Sequence, residues 1–230
     1  MKTQPTIGVL GLGHVGLPTA VGFAELGWDV IGADDISAKS DLIRQGVAPF
    51  YEPGLQALLS SNLSRGKLKI AMDVAEAIEK SDVIFVCVGT PQKEDGSADL
   101  SQIDVVGKMI ALHATSDKLV VEKSTTPVAT AKRLQQTMNR YRDDGISIEV
   151  AVNPEFLREG TGLKDFFCPD RIVLGVETFA SRDRLVKIYS PLVSRMTKTN
   201  NSEITHSDGR FVITDLNTAE LIKHASNSFL

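Results

Sequence analysis

The sequence has little of several things, and each shortage closes a class of explanation. It has two cysteines, Cys87 and Cys168, in 230 residues. Two thiols without a CxxC neighbour cannot build a disulfide framework, so a reducing cytoplasm is the expected setting. Excess charge of either sign is small: the formal net charge is −4, and the basic residues are scattered. That excludes a basic patch of the kind nucleic acid requires. No apolar run approaches the length of a membrane span. The opening stretch MKTQPTIGVLGLGHVG is interrupted by glycines and no small-residue cleavage site follows, so it does not read as a signal peptide. Internal repeats and low-complexity tracts are lacking as well. His224 has no second histidine, cysteine or acid at metal-ligand spacing, so no metal is expected and the ring is read as helix surface.

What is present is a hydrophobic share of 42%, ample for one large domain or one and a half. Strand-like and helix-like segments alternate along it. TIGVLG, DVIGAD, KLKIAM, DVIFVCVG, KLVVEKS, ISIEVAV and RIVLGVE read as strands. Between them lie helical stretches: Val15 to Leu26 stopped by Gly27, residues 37–45, a segment after Pro53, DVAEAIEKSD with Asp73 as N-cap, DLSQIDVVGKMIALHA, and VATAKRLQQTMNRYR. Apolar strands separated by amphipathic helices predict a doubly wound, mostly parallel α/β sheet covered on both faces. The sixth strand alternates, and its second face, with Ser147 and Glu149, is expected to be partly exposed. Cys87 lies in a dense apolar run and reads as a buried structural thiol; Cys168 lies in a loop. Residues from about 194 to 210 are polar and read as a loop or hairpin. The final segment is a helix started by Thr214 or Asp215. The expected organisation is one α/β domain over 1–210, followed by a last strand and the start of a helix over 211–230.

In such a sheet ligands sit at the carboxyl ends of the strands. The first strand ends in Gly11, Gly13 and Gly16, spaced G-L-G-H-V-G through Leu12, His14 and Val15. GxGxxG alone is weak, but here a strand precedes it, a helix follows, and an acid lies about 20 residues on. Gly11 permits the tight turn, Gly13 lets backbone approach a pyrophosphate, and Gly16 allows close helix–sheet packing. Amides at the helix N-terminus then hold negative phosphates. Of the acids in VIGADD, Asp34 rather than Asp35 is assigned to the ribose hydroxyls. An acid there favours NAD over NADP. Gly89, Thr90 and Pro91 end the fourth strand, and Ser124, Thr125 and Thr126 end the fifth. Either end alone is an ordinary capped turn; together, beside the glycine fingerprint, they point to cofactor and substrate contacts. NPEFLREG ends the sixth strand and faces the same crevice. Lys223 and Asn227, four residues apart, share one face of the final helix.

Taken together, GLGHVGLPTA, YEPGL, VGTP, DGSADLS, EKSTTPV, NPEFLREG, DFFCPDRIVLG and AELIKHASNSFL resemble the UDP-glucose/GDP-mannose dehydrogenase family, in order and over the whole chain. NPEFLREG followed by DF-x-x-PDRIV is similar to the members that act on UDP-glucose. The resemblance implies a Rossmann-type NAD-binding domain. It implies oxidation of the C6 alcohol of UDP-glucose to UDP-glucuronate with two NAD, through a cysteine-bound thiohemiacetal and thioester. It assigns Gly11 to Gly16 to the pyrophosphate, Asp34 to the adenosine ribose, Lys39 to a basic position near it, and Thr90 and Thr125 to the nicotinamide end. Glu155 is expected to position or activate the hydrolytic water. Phe156, Leu157, Arg158 and Glu159 are expected to line the nucleotide-sugar site, with Glu159 also near NAD. Lys223 is expected to stabilise the oxyanion or act as base, assisted by Asn227. Homo-oligomers through the connecting helix are implied too.

One departure matters. The family's catalytic cysteine belongs to a G-x-C-F-P-K-D segment beyond the connecting helix, and this sequence ends inside that helix. Neither Cys87 nor Cys168 matches that motif. The expectation is an excised NAD-binding domain or a naturally shortened protein, unable by itself to complete the oxidation. Two other readings stand beside it: a stand-alone nucleotide-binding or regulatory module, and a dehydrogenase of another UDP-sugar.

Overall fold

In a computed structural model, residues 4–199 and 210–229 are described. The chain runs β1 (Ile7–Leu10), α1 (Gly16–Glu25), β2 (Val30–Ala33), α2 (Ser37–Arg44), α3 (Leu55–Ser64), β3 (Leu68–Ile70), α4 (Val74–Lys80) and β4 (Val83–Val86). It continues α5 (Ser101–His113), β5 (Lys118–Glu122), α6 (Thr130–Tyr141), β6 (Ile148–Val152), α7 (Gly162–Phe167), β7 (Ile172–Gly175), α8 (Phe179–Thr199), β8 (Phe211–Thr214) and α9 (Leu216–Ser228). The sheet order is β3-β2-β1-β4-β5-β6-β7-β8. β1 to β6 are parallel to one another, so helices must return the chain across the faces. The order reverses between β1 and β4, which opens the ligand crevice at their carboxyl ends.

Strand periodicity divides the core. Ile7 and Val9, Val83 and Phe85, and Leu119 and Val121 face one layer, packed with α1, α3, α7 and α8. Leu10, Ile84, Val86 and Val120 face the other, packed with α4, α5, α6 and α9. Both faces of the central strands are therefore buried, as their unbroken apolar runs require. Local signals work as expected: Gly27 takes φ +98 just past α1, Asp73 accepts the Glu76 amide at 2.8 Å, and Asp215, not Thr214, caps α9.

Three places depart from the sequence pattern. The stretch read as a loop from about 194 is helical to Thr199, because Leu185, Ile188, Tyr189 and Leu192 form an apolar stripe that holds α8 on the sheet despite Pro191. The remainder of that loop, including Asn200, Asn201, Ser202 and Gly209, lies outside the described residues. Trp28 fastens α8 by donating its indole N–H to the Ile188 carbonyl at 3.1 Å. Ser147 is exposed as expected, but Glu149 is half-buried under α8 and accepts the Ser181 hydroxyl. β7 joins β6 antiparallel through one registered pair, Val152 with Gly175, and β8 then runs parallel to β7. Gly175 is small by necessity: a Cβ there would lie 2.6 Å from that of Ala219 and 2.9 Å from the Asp215 carbonyl, so α9 rests directly on β7. Among the described residues no helix is long and apolar enough to cross a membrane.

Candidate functional site

The turn from β1 into α1 is shaped by what glycine omits. Gly11 takes φ +89, and a Cβ there would meet the Cys87 carbonyl at 2.6 Å. A Cβ on Gly16 would lie 1.7 Å from the Gly11 carbonyl. Gly13 differs, since a Cβ would find nothing within 4 Å. The first and third glycines therefore close the turn, while the middle one keeps open a space that a phosphate can enter. Among the described residues no protein acceptor takes the amides of Gly13, His14 or Val15. His14 stacks on Phe50 at 4.1 Å between ring centroids.

At the end of β2, buried Asp34 accepts the Leu12 amide at 2.7 Å, the Ile36 amide at 3.0 Å and the Lys39 ammonium at 2.9 Å. Burial pushes this carboxyl upward. The Lys39 hydrogen bond and the two amides outweigh it and hold Asp34 below its ordinary range, so it is anionic near neutral pH. Lys39 is thus committed to Asp34. The carboxylate ties the end of β2 to the glycine turn, and its negative charge is one that a 2′-phosphate beside it would meet unfavourably. These features fit NAD.

The ends of β4 and β5 are latched together. Thr90 donates its hydroxyl to the Thr125 carbonyl at 2.6 Å, and Ser124 donates to the Val88 carbonyl at 2.7 Å. The Gly89 amide donates to Gln102 at 3.0 Å, and Pro91 is exposed. The Thr90, Ser124 and Thr126 hydroxyls are engaged within the protein, Thr126 with Glu122, so these strand ends offer a ligand shape and backbone more than free hydroxyls.

The third wall follows β6. Glu155 and Lys223, about 9–10% exposed in their side chains, pair at 2.8 Å across from α9. The other Glu155 oxygen accepts the Leu157 amide at 2.6 Å. Phe156, Leu157 and Arg158, with Glu155, line a pocket of about 650 Å³ that reaches Ile222 and Ser226 on α9. Arg158 turns its guanidinium to Asp165 at 2.7 Å, and Glu159 is exposed outside the lining. Asn227 is exposed one turn beyond Lys223 and does not join the pair. Residues from one loop and a distant helix are thus brought together, but Glu159 and Asn227 stand apart from them.

Four other participants were not assigned from the sequence. Lys123 is buried on the pocket wall, and its ammonium donates to Asn153 Oδ1 at 3.0 Å. The same oxygen accepts the Tyr189 hydroxyl at 2.5 Å. Burial, reinforced by neighbouring Lys223, holds Lys123 below the usual ammonium range against the pull of Glu155. A lysine directly at the end of an apolar strand in EKSTTP was the signal for it. Glu52, in YEPGL, is buried and caps α7 through the Leu163 amide at 2.5 Å. His224 corrects the helix-surface reading: it is half-buried, and its Nε2 lies 2.6 Å from the Thr126 carbonyl. Cys87, just past β4, is buried and its thiol is pushed up to about 12 by burial, whereas Cys168 is exposed at the pocket edge.

Comparison with known proteins bears on this arrangement. The model of the UDP-glucose/GDP-mannose dehydrogenase family, NAD binding domain, matches residues 5–193. The chain is 38% identical over 224 residues to UDP-glucose 6-dehydrogenase YwqF of Bacillus subtilis, covering 97% of the chain and 48% of that protein. Among solved structures, a UDP-glucose dehydrogenase from Pyrobaculum islandicum superposes with a TM-score of 0.88 at 36% identity, covering 98% of this chain and 50% of that one. A GDP-mannose dehydrogenase from Pseudomonas aeruginosa gives 0.86 at 34%, covering 97% and 49%. The chain spans about half the length of the curated relatives it matches.

Proposed function

Because the chain belongs to the UDP-glucose/GDP-mannose dehydrogenase family and forms its NAD-binding domain, we propose that it supplies the cofactor half of an enzyme oxidising the C6 alcohol of UDP-glucose to the carboxylate of UDP-glucuronate. The observation that carries this reading is the buried Glu155–Lys223 pair, in which Glu155 lines the pocket beyond β6 and Lys223 reaches it from α9. An alcohol oxidised to an acid needs a group that tolerates developing negative oxygen and a group that prepares water. Lys223 serves the first role and Glu155 the second, each holding the other until substrate intervenes. The turn Gly11, Leu12, Gly13, His14, Val15 and Gly16 takes the pyrophosphate, Asp34 with Lys39 the adenosine ribose, and Gly89, Thr90, Pro91, Ser124 and Thr125 border the nicotinamide. NAD, when bound, supplies the hydride acceptor. Phe156 to Glu159 form the sugar side, and Asn227 approaches it when the pocket fills.

Neither thiol suits acyl trapping. Cys87 is buried and protonated, and Cys168 stands in solvent at the rim. These residues are therefore expected to bind cofactor without completing the oxidation. The reading puts a domain boundary near residue 210, with β8 as the last strand of the sheet and α9 as the start of a connecting helix. Pairing of copies through α9, where Leu221 is 56% and Phe229 91% exposed, and a cytoplasmic setting belong to the same reading. Calorimetric titration tests it. NAD⁺ binds, UDP-glucose binds weakly or not at all, and no sustained NADH forms. A folded chain that does not bind NAD⁺, or one that turns over UDP-glucose, overturns the proposal.

A further inference from the structure

A cluster beneath the β5–α6 turn belongs to none of these roles. α6 begins at Ala129, which has no side-chain acceptor for the helix's free amides and sits at φ +77. Among the described residues it is the only non-glycine in the left-handed region, a conformation that strains an L side chain. The missing cap comes from α9 instead. Glu220, 2% exposed, accepts the Ala129 amide at 2.7 Å and the Ala131 amide at 2.8 Å, across 91 and 89 positions of chain. One turn later His224 holds the Thr126 carbonyl. Glu122, fully buried at the end of β5, engages the Thr126 hydroxyl and leaves Oε2 without a partner.

A helix is ordinarily capped by its own preceding residue. Capping in trans by a buried carboxylate requires desolvating a charge, and strain at Ala129 adds to that cost. The arrangement becomes intelligible from what it flanks. Glu220 and His224 lie on either side of Lys223 in sequence, and Thr126, Ala129 and Ala131 follow directly on Ser124 and Thr125. The two grips therefore tie the lysine-bearing turn of α9 to the loop that borders the nicotinamide end.

We propose that Glu220 is a positioning residue: by capping α6 from α9, with His224 as a second grip, it sets the height and rotation of α9 so that Lys223 stays against Glu155. This rests on the reading of Glu155 and Lys223 as the reacting pair. Lys223 itself pairs with Glu155 at 2.8 Å and lies 5.6 Å from the Phe156 ring centroid, so the grips on the β5–α6 turn come from its neighbours on α9.

The test is nuclear magnetic resonance of the chain, comparing wild type with Glu220→Gln. Glutamine keeps the size but offers one acceptor where two amides need one each. Exchange of the Ala129 and Ala131 amides is expected to quicken by at least about tenfold, as loss of a charge-assisted hydrogen bond implies. The Lys223 ammonium signal is expected to lose its response to Glu155, defined as the change that Glu155→Gln produces in the wild type. NAD⁺ affinity is expected to stay within about twofold, because the glycine turn is untouched. Faster amide exchange with an unmoved Lys223 signal makes Glu220 a helix cap only and overturns the proposal. Should Glu220→Gln not fold, His224→Ala decides: it removes one grip, and an unmoved Lys223 signal in it overturns the proposal equally. Failure of wild-type chain to bind NAD⁺ refutes the functional reading instead, and the Lys223 signal reports on the positioning role independently.

Discussion

Glu122 carries a penalty that can be measured. It is fully buried, and burial pushes its carboxyl up to about 8, with the Thr126 hydrogen bond opposing that and the nearby Glu220 charge adding to it. A carboxyl raised in the fold contributes stability that is fully present below its unfolded value near 4.5 and is lost as pH rises toward 8. At pH 7 folding must take up a proton that the unfolded chain does not hold. At about 1.4 kcal/mol per pH unit between 4.5 and 7, this costs roughly 3 kcal/mol. Glu122→Gln is neutral at every pH and escapes the cost. Its stability advantage over wild type is expected to grow by about 2–3 kcal/mol between pH 5 and 7 and to level off above 8. Paired denaturant titrations at pH 5, 7 and 9 measure the difference, in which titrating groups not coupled to Glu122 cancel. A difference that does not vary with pH would refute the assignment of Glu122 as a buried, protonated acid.

Other expectations follow from the geometry. Gly13→Ala should leave stability within about 0.5 kcal/mol, since its Cβ meets nothing within 4 Å. It should nonetheless weaken NAD⁺ binding by at least about tenfold, because the methyl group occupies the phosphate approach; calorimetry and thermal melts separate the two effects. Glu155→Gln and Lys223→Met should each cost about 3–5 kcal/mol by stranding a buried charge. The double variant should cost less than their sum, and strict additivity in the denaturation cycle would remove the pair from the account. Gly175→Ala should cost about 1–3 kcal/mol by pressing α9 off β7, read as a lower melting temperature.

The glycine turn was legible in the sequence because its chemistry is local: three glycines, a strand before, a helix after and an acid at the next strand end are all set by short-range sterics. The doubly wound sheet was legible for the same reason, each strand announcing its burial through apolar runs. The Glu155–Lys223 meeting was reached only through resemblance, since nothing in NPEFLREG or AELIKHASN states that a loop and a far helix touch. Lys123, Asn153 and Tyr189 went unassigned because their significance is a shared oxygen rather than a motif. α8 was hidden by Pro191 and by the charges in SRDR, which mask an apolar stripe visible only once there is a sheet to receive it. His224 looked like surface because its partner is a backbone carbonyl, which has no sequence signature.

The seam between β6 and β7 gives the molecule a line of easy cleavage. Elsewhere neighbouring strands share three to five registered pairs, but here one pair spans the gap. What crosses it instead is side chain: the Asn153 amide reaches the Val173 carbonyl at 2.9 Å, Lys223 reaches Glu155 at 2.8 Å, and Glu220 and His224 hold the β5–α6 turn. Partial opening should therefore begin along this line, with β7, β8 and α9 leaving as one leaf and taking the lysine from the glutamate. The Glu155–Lys223 pair is also the clasp of a hinged book. Whatever ligand settles between the two residues exchanges one closure of the sheet for another, so occupancy of the pocket and cohesion of the last quarter of the chain are expected to be linked.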